Sequence, residues 1–207
     1  MTLDDAIAAC PIVAILRGVL PDEVASVGEA LFQAGVRGVE VPLNSPNPFV
    51  SIRRLVDRLG QHMACGAGTV LSAADVNGAA EAGASFVVAP NTDGAVIRRA
   101  VALGLEPAPG FATASEAFQA IGAGARHLKL FPAVSYGPGH LRQLMAVLPP
   151  DLVVWAVGGV GAADLAPWWD AGARAFGIGS EIYRPGQSVA ATSARAAALV
   201  QAAREPH

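Results

Sequence analysis

The sequence has few charged residues, no basic cluster and almost no cysteine, and each shortage excludes a class of protein. Charged residues make up 15% of the 207 residues and hydrophobic residues 53%, which excludes intrinsic disorder. With a net charge of −3 and no basic run, neither a nucleic-acid partner nor an acidic membrane surface is expected. Cys10 and Cys65 are too few for a disulfide framework.

Long apolar segments are also missing. No uninterrupted apolar run reaches the roughly 18 residues that indicate a membrane span. The start MTLDDAIAAC carries acidic residues where a signal peptide carries lysine or arginine. We therefore expect a cytoplasmic protein that does not bind membranes and whose ligand is small.

Short apolar runs recur along the chain, with helix-length segments between them. The eight runs are 12–16, 38–42, 63–68, 86–90, 105–110, 127–131, 152–157 and 174–179. They are continuously apolar rather than alternating, which is typical of parallel strands covered on both faces. A glycine closes most of the intervening helices, namely Gly35, Gly60, Gly83, Gly104, Gly124 and Gly172.

These runs repeat about every 24 residues, the length that a strand and a helix need together. The pattern predicts an α/β fold: a single (β/α)8 TIM-barrel domain over residues 1–207, with a short N-terminal helix at about 3–9 covering its bottom. A doubly wound open sheet is the alternative. Helix starts are predicted at Ser45-Pro46, with serine as N-cap and proline at the first position, and at the capping boxes Ser72–Asp75 and Thr113–Glu116.

Lys129 is the only lysine among 14 cationic side chains, and it lies inside the strand-like run HLKLF. Arginine stays protonated, whereas a lysine in an apolar barrel has a lowered pKa and its neutral amine attacks carbonyls to form a Schiff base. The period of two in a strand turns Leu128 and Leu130 outward and Lys129 inward. A buried ion pair is the structural alternative.

The same parity on the second strand turns Val39 and Val41 outward and Glu40 inward. Strands two and six are both even-numbered, and inward residues of alternate barrel strands share a layer, so we expect Glu40 and Lys129 to face each other near the barrel mouth. A carboxylate that shuttles protons beside a nucleophilic amine is what a Schiff-base lyase needs. A structural salt bridge between them is the alternative.

Four further strand ends carry candidate binding groups. Arg17 follows the first strand, where its guanidinium is suited to a substrate carboxylate, and Thr69 follows the third, where its hydroxyl is suited to the same group. The alternatives are a surface position for Arg17 and a role at a helix N-terminus for Thr69. Glycines follow both of the last two strands, which is where TIM barrels build phosphate sites from backbone N–H groups. These predicted phosphate-binding residues are Gly158, Gly159, Gly179 and Ser180.

Neither a metal nor a cofactor is expected. The four histidines His62, His127, His140 and His207 have no partner at ligand spacing, and neither cysteine lies in a CxxC pair. No GxGxxG opens a helix after the first strand, so a dinucleotide fingerprint is missing.

Seven segments together carry a family resemblance that runs over nearly the whole chain. They are IVAILRG (12–18), GVEVPLNSP (38–46), GAGTV (66–70), VAPN (88–91), HLKLFP (127–132), AVGGV (156–160) and GIGSEIYRPG (177–186). The chain resembles the class I 2-keto-3-deoxy-6-phosphogluconate (KDPG) and 2-keto-3-deoxy-6-phosphogalactonate (KDPGal) aldolases. The resemblance implies a homotrimeric lyase with no cofactor, acting on a phosphorylated keto-deoxy sugar acid.

The resemblance also implies roles for individual residues. Lys129 matches the Schiff-base lysine and Glu40 the general acid/base, while the glycines and Ser180 named above match the phosphate site. The implied pyruvate-binding residues are Arg17 and Thr69 at the carboxylate, with Pro90 and Phe131 around the pyruvyl group.

Two positions favour the galactonate branch. The gluconate enzymes typically read VTLRT and PTGGI where this chain reads VPLNS and AVGGV, so Asn44 and Val157 replace an arginine and a threonine. The resemblance thus implies cleavage of the galactonate compound to pyruvate and glyceraldehyde 3-phosphate. The alternatives are a gluconate-specific aldolase, a phosphosugar isomerase or epimerase on the same barrel, and a non-catalytic phospholigand-binding barrel.

Overall fold

The computed structural model describes residues 1–204, which form nine parallel strands and nine α-helices; His207 lies outside the described residues. The strands are β1 (Ile12–Ile15), β2 (Gly38–Pro42), β3 (Ala64–Gly68), β4 (Phe86–Val88), β5 (Glu106–Ala108), β6 (Gly110–Phe111), β7 (His127–Leu130), β8 (Val153–Val157) and β9 (Ala175–Ile178). The helices are α1 (Leu3–Ala9), α2 (Val24–Gln33), α3 (Pro48–Leu59), α4 (Ala73–Glu81), α5 (Gly94–Ala102), α6 (Ala114–Gly122), α7 (Ala133–Met145), α8 (Leu165–Asp170) and α9 (Val189–Ala202), with a 3-10 helix at Ala162–Asp164. Among these helices of residues 1–204, none has the length and apolar character that crossing a membrane requires.

The strands form a nearly closed barrel, so the predicted TIM-barrel class is confirmed. Their order is β5-β4-β3-β2-β1-β9-β8-β7-β6, and every pairing is parallel. The predicted fifth strand at 105–110 is split into β5 and β6 at Pro109, because proline has no N–H to give to a ladder. The segment before Pro109, β5, pairs with β4, and the segment after it, β6, pairs with β7. Pro109 therefore joins the two edge strands of the sheet.

Side chains alternate between the barrel interior and the layer under the helices. Leu128 and Leu130 pack in the outer layer, as predicted, whereas Phe86 and Trp155 fill the interior. Helix α1 covers the bottom of the barrel, where its residue Leu3 packs against the same interior cluster. The alternation leaves the upper interior of the barrel to polar groups.

Five of the six predicted helix-closing glycines have the left-handed backbone that favours glycine: Gly35, Gly83, Gly104, Gly124 and Gly172. Gly60 also closes its helix, as the C-cap residue of α3, but its backbone is right-handed with φ −60°.

Two of the three predicted helix starts are confirmed. Ser72 accepts a hydrogen bond from the backbone N–H of Asp75, and Thr113 forms a capping box with Glu116. The Ser45-Pro46 start is wrong, because α3 begins at Pro48. Pro48 provides the same N1 signal two residues later, with Asn47 as N-cap.

Candidate active site

The carboxyl ends of the strands surround a cavity of about 550 Å³. Ten of the twelve sequence-predicted site residues line it: Arg17, Glu40, Thr69, Lys129, Phe131, Val157, Gly158, Gly159, Gly179 and Ser180. Pro90 and Asn44 lie outside the lining. The structure thus brings together, in one cavity, groups spread over more than 160 positions of the sequence.

Lys129 projects from β7 into the cavity with only 7% of its surface exposed. Its Nζ lies 4.6 Å from the centre of the Phe131 ring, where the ring face attracts a cation. Burial lowers the pKa of Lys129; the negative charge of Glu40 acts against this and the positive charge of Arg17 adds to it. A lowered pKa increases the fraction of neutral, nucleophilic amine near neutral pH.

Glu40 projects inward from β2 and is 3% exposed. Within the described residues its Oε2 atom is buried without a hydrogen-bond partner. Burial raises the pKa of Glu40, while the positive charges of Lys129 and Arg17 act in the opposite direction. A buried carboxylate oxygen without a partner is costly to a fold, so this one is available to a ligand or to a proton in transfer.

The space that Glu40 occupies depends on a residue that the sequence analysis missed. A Cβ atom on Gly68, at the end of β3, would overlap the Glu40 carboxylate. Gly68 lies on the inward face of its strand, so the period of two in GAG was the signal that pointed to it.

Arg17 is held in place by the end of the second strand. Its Nη1 donates a hydrogen bond of 2.7 Å to Oδ1 of Asn44, and the next N–H, of Gly18, donates to the buried Ser45 Oγ at 2.9 Å. Asn44 therefore acts on the cavity through Arg17, and Ser45, which was not predicted as a site residue, fixes the peptide that follows. Thr69 is half-buried with a left-handed φ of 56°, which is uncommon for a β-branched residue.

The predicted phosphate-binding residues form one wall of the cavity. Within residues 1–204, the backbone N–H groups of Gly158, Gly159 and Ser180 donate no hydrogen bond to the protein. Gly159 has φ 73°, and a Cβ there would come within 2.7 Å of Val134. The loop that follows is held by Asp164, whose Oδ2 accepts a 2.8 Å hydrogen bond from Gly161 N–H. Free N–H groups in a concave wall are suited to binding an anion.

Other candidate residues lie away from the cavity lining. His140 contacts the carbonyl of Ala112 through Nε2 at 2.7 Å, and His127 is buried at the bottom of the barrel, 3.0 Å from the Asp4 carboxylate. In the part of the chain that the structure describes, no three His, Cys, Asp or Glu side chains lie together as a metal site would require.

A family model for KDPG and KHG aldolases matches residues 3–195. The chain belongs to the KDPG and KHG aldolase family. It is 49% identical over 195 residues to the 2-dehydro-3-deoxy-6-phosphogalactonate aldolase of Escherichia coli (strain K12), which covers 94% of this chain and 95% of that protein. It is also 44% identical over 192 residues to a probable enzyme of the same description in Rhizobium meliloti (strain 1021), covering 93% and 91%. Among solved structures, one described as native KDPGal superimposes with a TM-score of 0.93 at 49% identity, covering 94% and 95%.

The predicted family and the predicted aldolase class are therefore confirmed, and the chain is a lyase. In this aldolase the buried amine, the buried carboxylate and the wall of free N–H groups open into the same cavity. The roles predicted for the individual residues stay predictions, which we develop below.

Proposed function

We propose that this aldolase cleaves 2-dehydro-3-deoxy-6-phosphogalactonate, the compound called KDPGal above, to pyruvate and glyceraldehyde 3-phosphate through a Schiff base on Lys129. The observation that carries the proposal is the buried Lys129 amine sharing one cavity with the unpartnered, buried Glu40 carboxylate. Two relatives of this description at 49% and 44% identity support the choice of substrate.

The first chemical stage is formation of the iminium ion. The neutral Lys129 amine attacks the C2 carbonyl carbon of the substrate to give a carbinolamine. Glu40, whose pKa is raised by burial, donates a proton to the departing hydroxyl group, directly or through water, so that water leaves. The product is a protonated iminium ion between C2 and the lysine nitrogen.

The second stage breaks the carbon–carbon bond. Glu40, now ionised, accepts the proton of the C4 hydroxyl as that hydroxyl becomes the aldehyde carbonyl. The electrons of the C3–C4 bond move to the iminium ion, giving an enamine and releasing glyceraldehyde 3-phosphate. Protonation of the enamine at C3 and hydrolysis then release pyruvate and free Lys129.

The two ends of the substrate are assigned to opposite sides of the cavity. Arg17, oriented by Asn44, and Thr69 bind the carboxylate, while Phe131 packs beside the pyruvyl group. The phosphate binds the free N–H groups of the wall described above, far from the reacting bond, which contributes to positioning. Pro90 lies outside the cavity lining, so its predicted contact with the pyruvyl group has no support from the geometry.

The preference for the galactonate epimer is assigned to Val157. Its side chain lines the cavity at the end of β8, and valine offers no hydroxyl to hydrogen-bond at C4. The phosphogluconate aldolases are more distant relatives, at 36% identity or less.

Borohydride reduction in the presence of pyruvate tests the covalent mechanism. Because Lys129 is the only lysine, reduction should add one pyruvyl group to one peptide, which mass spectrometry locates. Lys129→Arg keeps the charge and removes the nucleophile, so it should fold, as judged by circular dichroism, and form no adduct. A folded, pyruvate-saturated wild-type protein without an adduct would contradict the proposal and favour the isomerase or binding-barrel alternatives.

Two further expectations concern the subunit number, which the family resemblance implies, and the cellular location, which is expected from the sequence itself. We propose that the aldolase is a homotrimer and that it works in the cytoplasm. Size-exclusion chromatography with light scattering measures the first, since a trimer has three times the 21.0 kDa mass of one chain. Fractionation of cells tests the second.

A further inference from the structure

Two arginines lie behind the predicted phosphate site. Arg184 Nε donates a 2.9 Å hydrogen bond to the carbonyl oxygen of Ser180, and Arg195 Nη1 donates to the same oxygen at 3.2 Å. Arg195 Nη1 also lies 3.4 Å from the carbonyl oxygen of Glu181. Both arginines line a second cavity of about 260 Å³, which shares Ala162 and Glu181 with the main cavity. The segments that carry Ala162 and Glu181 therefore line both cavities.

The hydrogen bonds from the arginines set the direction of one peptide group. The C=O and N–H of a trans peptide point to opposite sides. Since the Ser180 carbonyl points to the arginines, the N–H of Glu181 in the same peptide points away from them. Within residues 1–204 this N–H donates no hydrogen bond, and neither does that of Ser180. Two adjacent donors thus remain free in a segment that lines the main cavity.

The two arginines differ in how much of their charge is free. Arg184 Nη2 lies 3.6 Å from the Glu181 carboxylate, and both side chains are more than half exposed. The carboxylate and the surrounding water therefore offset part of the positive charge of Arg184. Arg195, on α9, is half-buried and has no ion-pair partner in the described part of the chain. Arg195 is therefore the principal positive charge behind the wall.

We propose that Arg195, assisted by Arg184, is a positioning residue that holds the Ser180–Glu181 peptide with the Glu181 N–H available to the substrate phosphate. Arg195 touches neither the reacting atoms nor the phosphate; it acts through the peptide and through its charge. A hydrogen bond to a cation polarises the peptide, so its N–H becomes a better donor to an anion. This inference rests on the proposed function, because the anion at this wall is taken to be the phosphate of the substrate.

Replacing Arg195 with methionine tests the proposal, since methionine keeps an unbranched apolar stem and removes the donors and the charge. One hydrogen-bonded donor is worth a factor of about 3 to 10 in affinity, so KM for the phosphorylated substrate and the inhibition constant of inorganic phosphate should both rise by that factor. The kcat of cleavage should change by less than about twofold, because the reacting bond is remote from the wall.

A second reaction serves as an internal control. The proposed mechanism run backwards forms an enamine from pyruvate alone, which exchanges the methyl protons of pyruvate with solvent deuterium and is followed by NMR. Pyruvate has no phosphate, so Arg195→Met should leave the exchange rate unchanged. Arg195→Lys keeps a charge and a donor and should recover most of the affinity. Arg98→Met, which removes an exposed arginine from α5, should alter none of these quantities.

The outcomes separate the proposal from its alternatives. Unchanged KM and unchanged phosphate inhibition in a folded Arg195→Met would overturn it, as would a parallel fall of cleavage and exchange, which indicates a general structural role. If Arg195→Met does not fold, Arg195→Lys and Arg184→Met carry the test, and the proposal requires a smaller rise in KM with an unchanged exchange rate. Wild-type protein that cannot exchange pyruvate protons would instead refute the proposed function.

Discussion

Substitution of Gly68 by alanine tests whether catalysis depends on where the Glu40 carboxylate sits. The new Cβ would lie at about a covalent bond length from Glu40 Oε2, so the carboxylate must move by roughly 2 Å to restore van der Waals contact. A misplacement of about 1 Å costs on the order of 100-fold in rate, while overpacking costs about 1–3 kcal/mol of stability. We therefore expect Gly68→Ala to fold and to lose at least about 100-fold in kcat/KM.

The assay couples pyruvate release to lactate dehydrogenase and follows NADH. Gly66→Ala is the matched control: Gly66 lies on the same inward face of β3, and its Cβ would come within 2.6 Å of the Phe86 ring instead of Glu40. This variant should lose comparable stability and keep most of its activity. Gly122→Ala adds a methyl group to open space at the end of α6, so it should leave the activity unchanged and should not lower the stability.

Three results test whether the position of the Glu40 carboxylate sets the rate. A folded Gly68→Ala with nearly wild-type kcat/KM would refute the dependence on the Glu40 position. Equal losses of activity in the Gly66 variant would show that stability, and not the carboxylate, sets the rate. Glu40→Asp shortens the side chain and moves the carboxylate away from the added methyl group. The double variant Gly68→Ala/Glu40→Asp should therefore lose less kcat/KM than the product of the losses in the two single variants.

Three further predictions concern pH and specificity. Since Glu40 raises and Arg17 lowers the pKa of the buried Lys129, Glu40→Gln should shift the titration of Lys129 to lower pH and Arg17→Met should shift it to higher pH. Competitive acetylation of the single lysine, read by mass spectrometry across pH, measures both shifts. Shifts of the same sign would contradict the assignment. Val157→Thr should move the kcat/KM ratio of the two epimers toward the gluconate compound by about 10-fold, because one buried hydrogen bond is worth about that factor. The coupled assay measures this ratio for both epimers. An unchanged ratio would show that other residues recognise the epimer. Burial lowers the pKa of His127 below its ordinary 6.5, so the unfolded chain binds a proton at His127 more tightly than the folded chain does. The free energy of unfolding should therefore fall as the pH drops below 6.5. Urea unfolding at pH 5 and pH 7.5 should show a smaller difference between the two pH values in His127→Gln than in the wild type.

Repeated local signals made most of the fold predictable from the sequence. Continuous apolar runs and closing glycines recur eight and six times, so one misplaced signal, such as the Ser45-Pro46 helix start, does not change the architecture. The misplaced start of α3 has the same origin, because two Ser/Asn-Pro pairs follow each other and both satisfy the N-cap rule. The split of the fifth strand occurs at Pro109, which a continuous apolar pattern conceals.

The site was predictable where strand parity applies and not where loops determine the contacts. Parity places Lys129 and Glu40 inward, and the structure agrees. The hydrogen bonds that Arg17 donates to Asn44 and that Arg195 donates to Ser180 join segments that are distant in sequence, so no local pattern reveals them. Gly68 was missed for another reason: its contribution is the volume that it leaves empty, and a search for reactive side chains passes over it.

The sheet of the barrel has two edge strands, β5 and β6, and the backbone of Pro109 joins them covalently. All eight strand ladders run from β5 around to β6, and the ring closes through the Pro109 backbone between them. Opening the chain at this point would leave every ladder in place and would turn the Pro109 carbonyl, which accepts a 2.8 Å hydrogen bond from Lys129 N–H, into a terminal carboxylate. A circular permutant with its new ends at residues 109 and 110 is therefore the one best suited to keeping the barrel while loosening the strand that carries the amine.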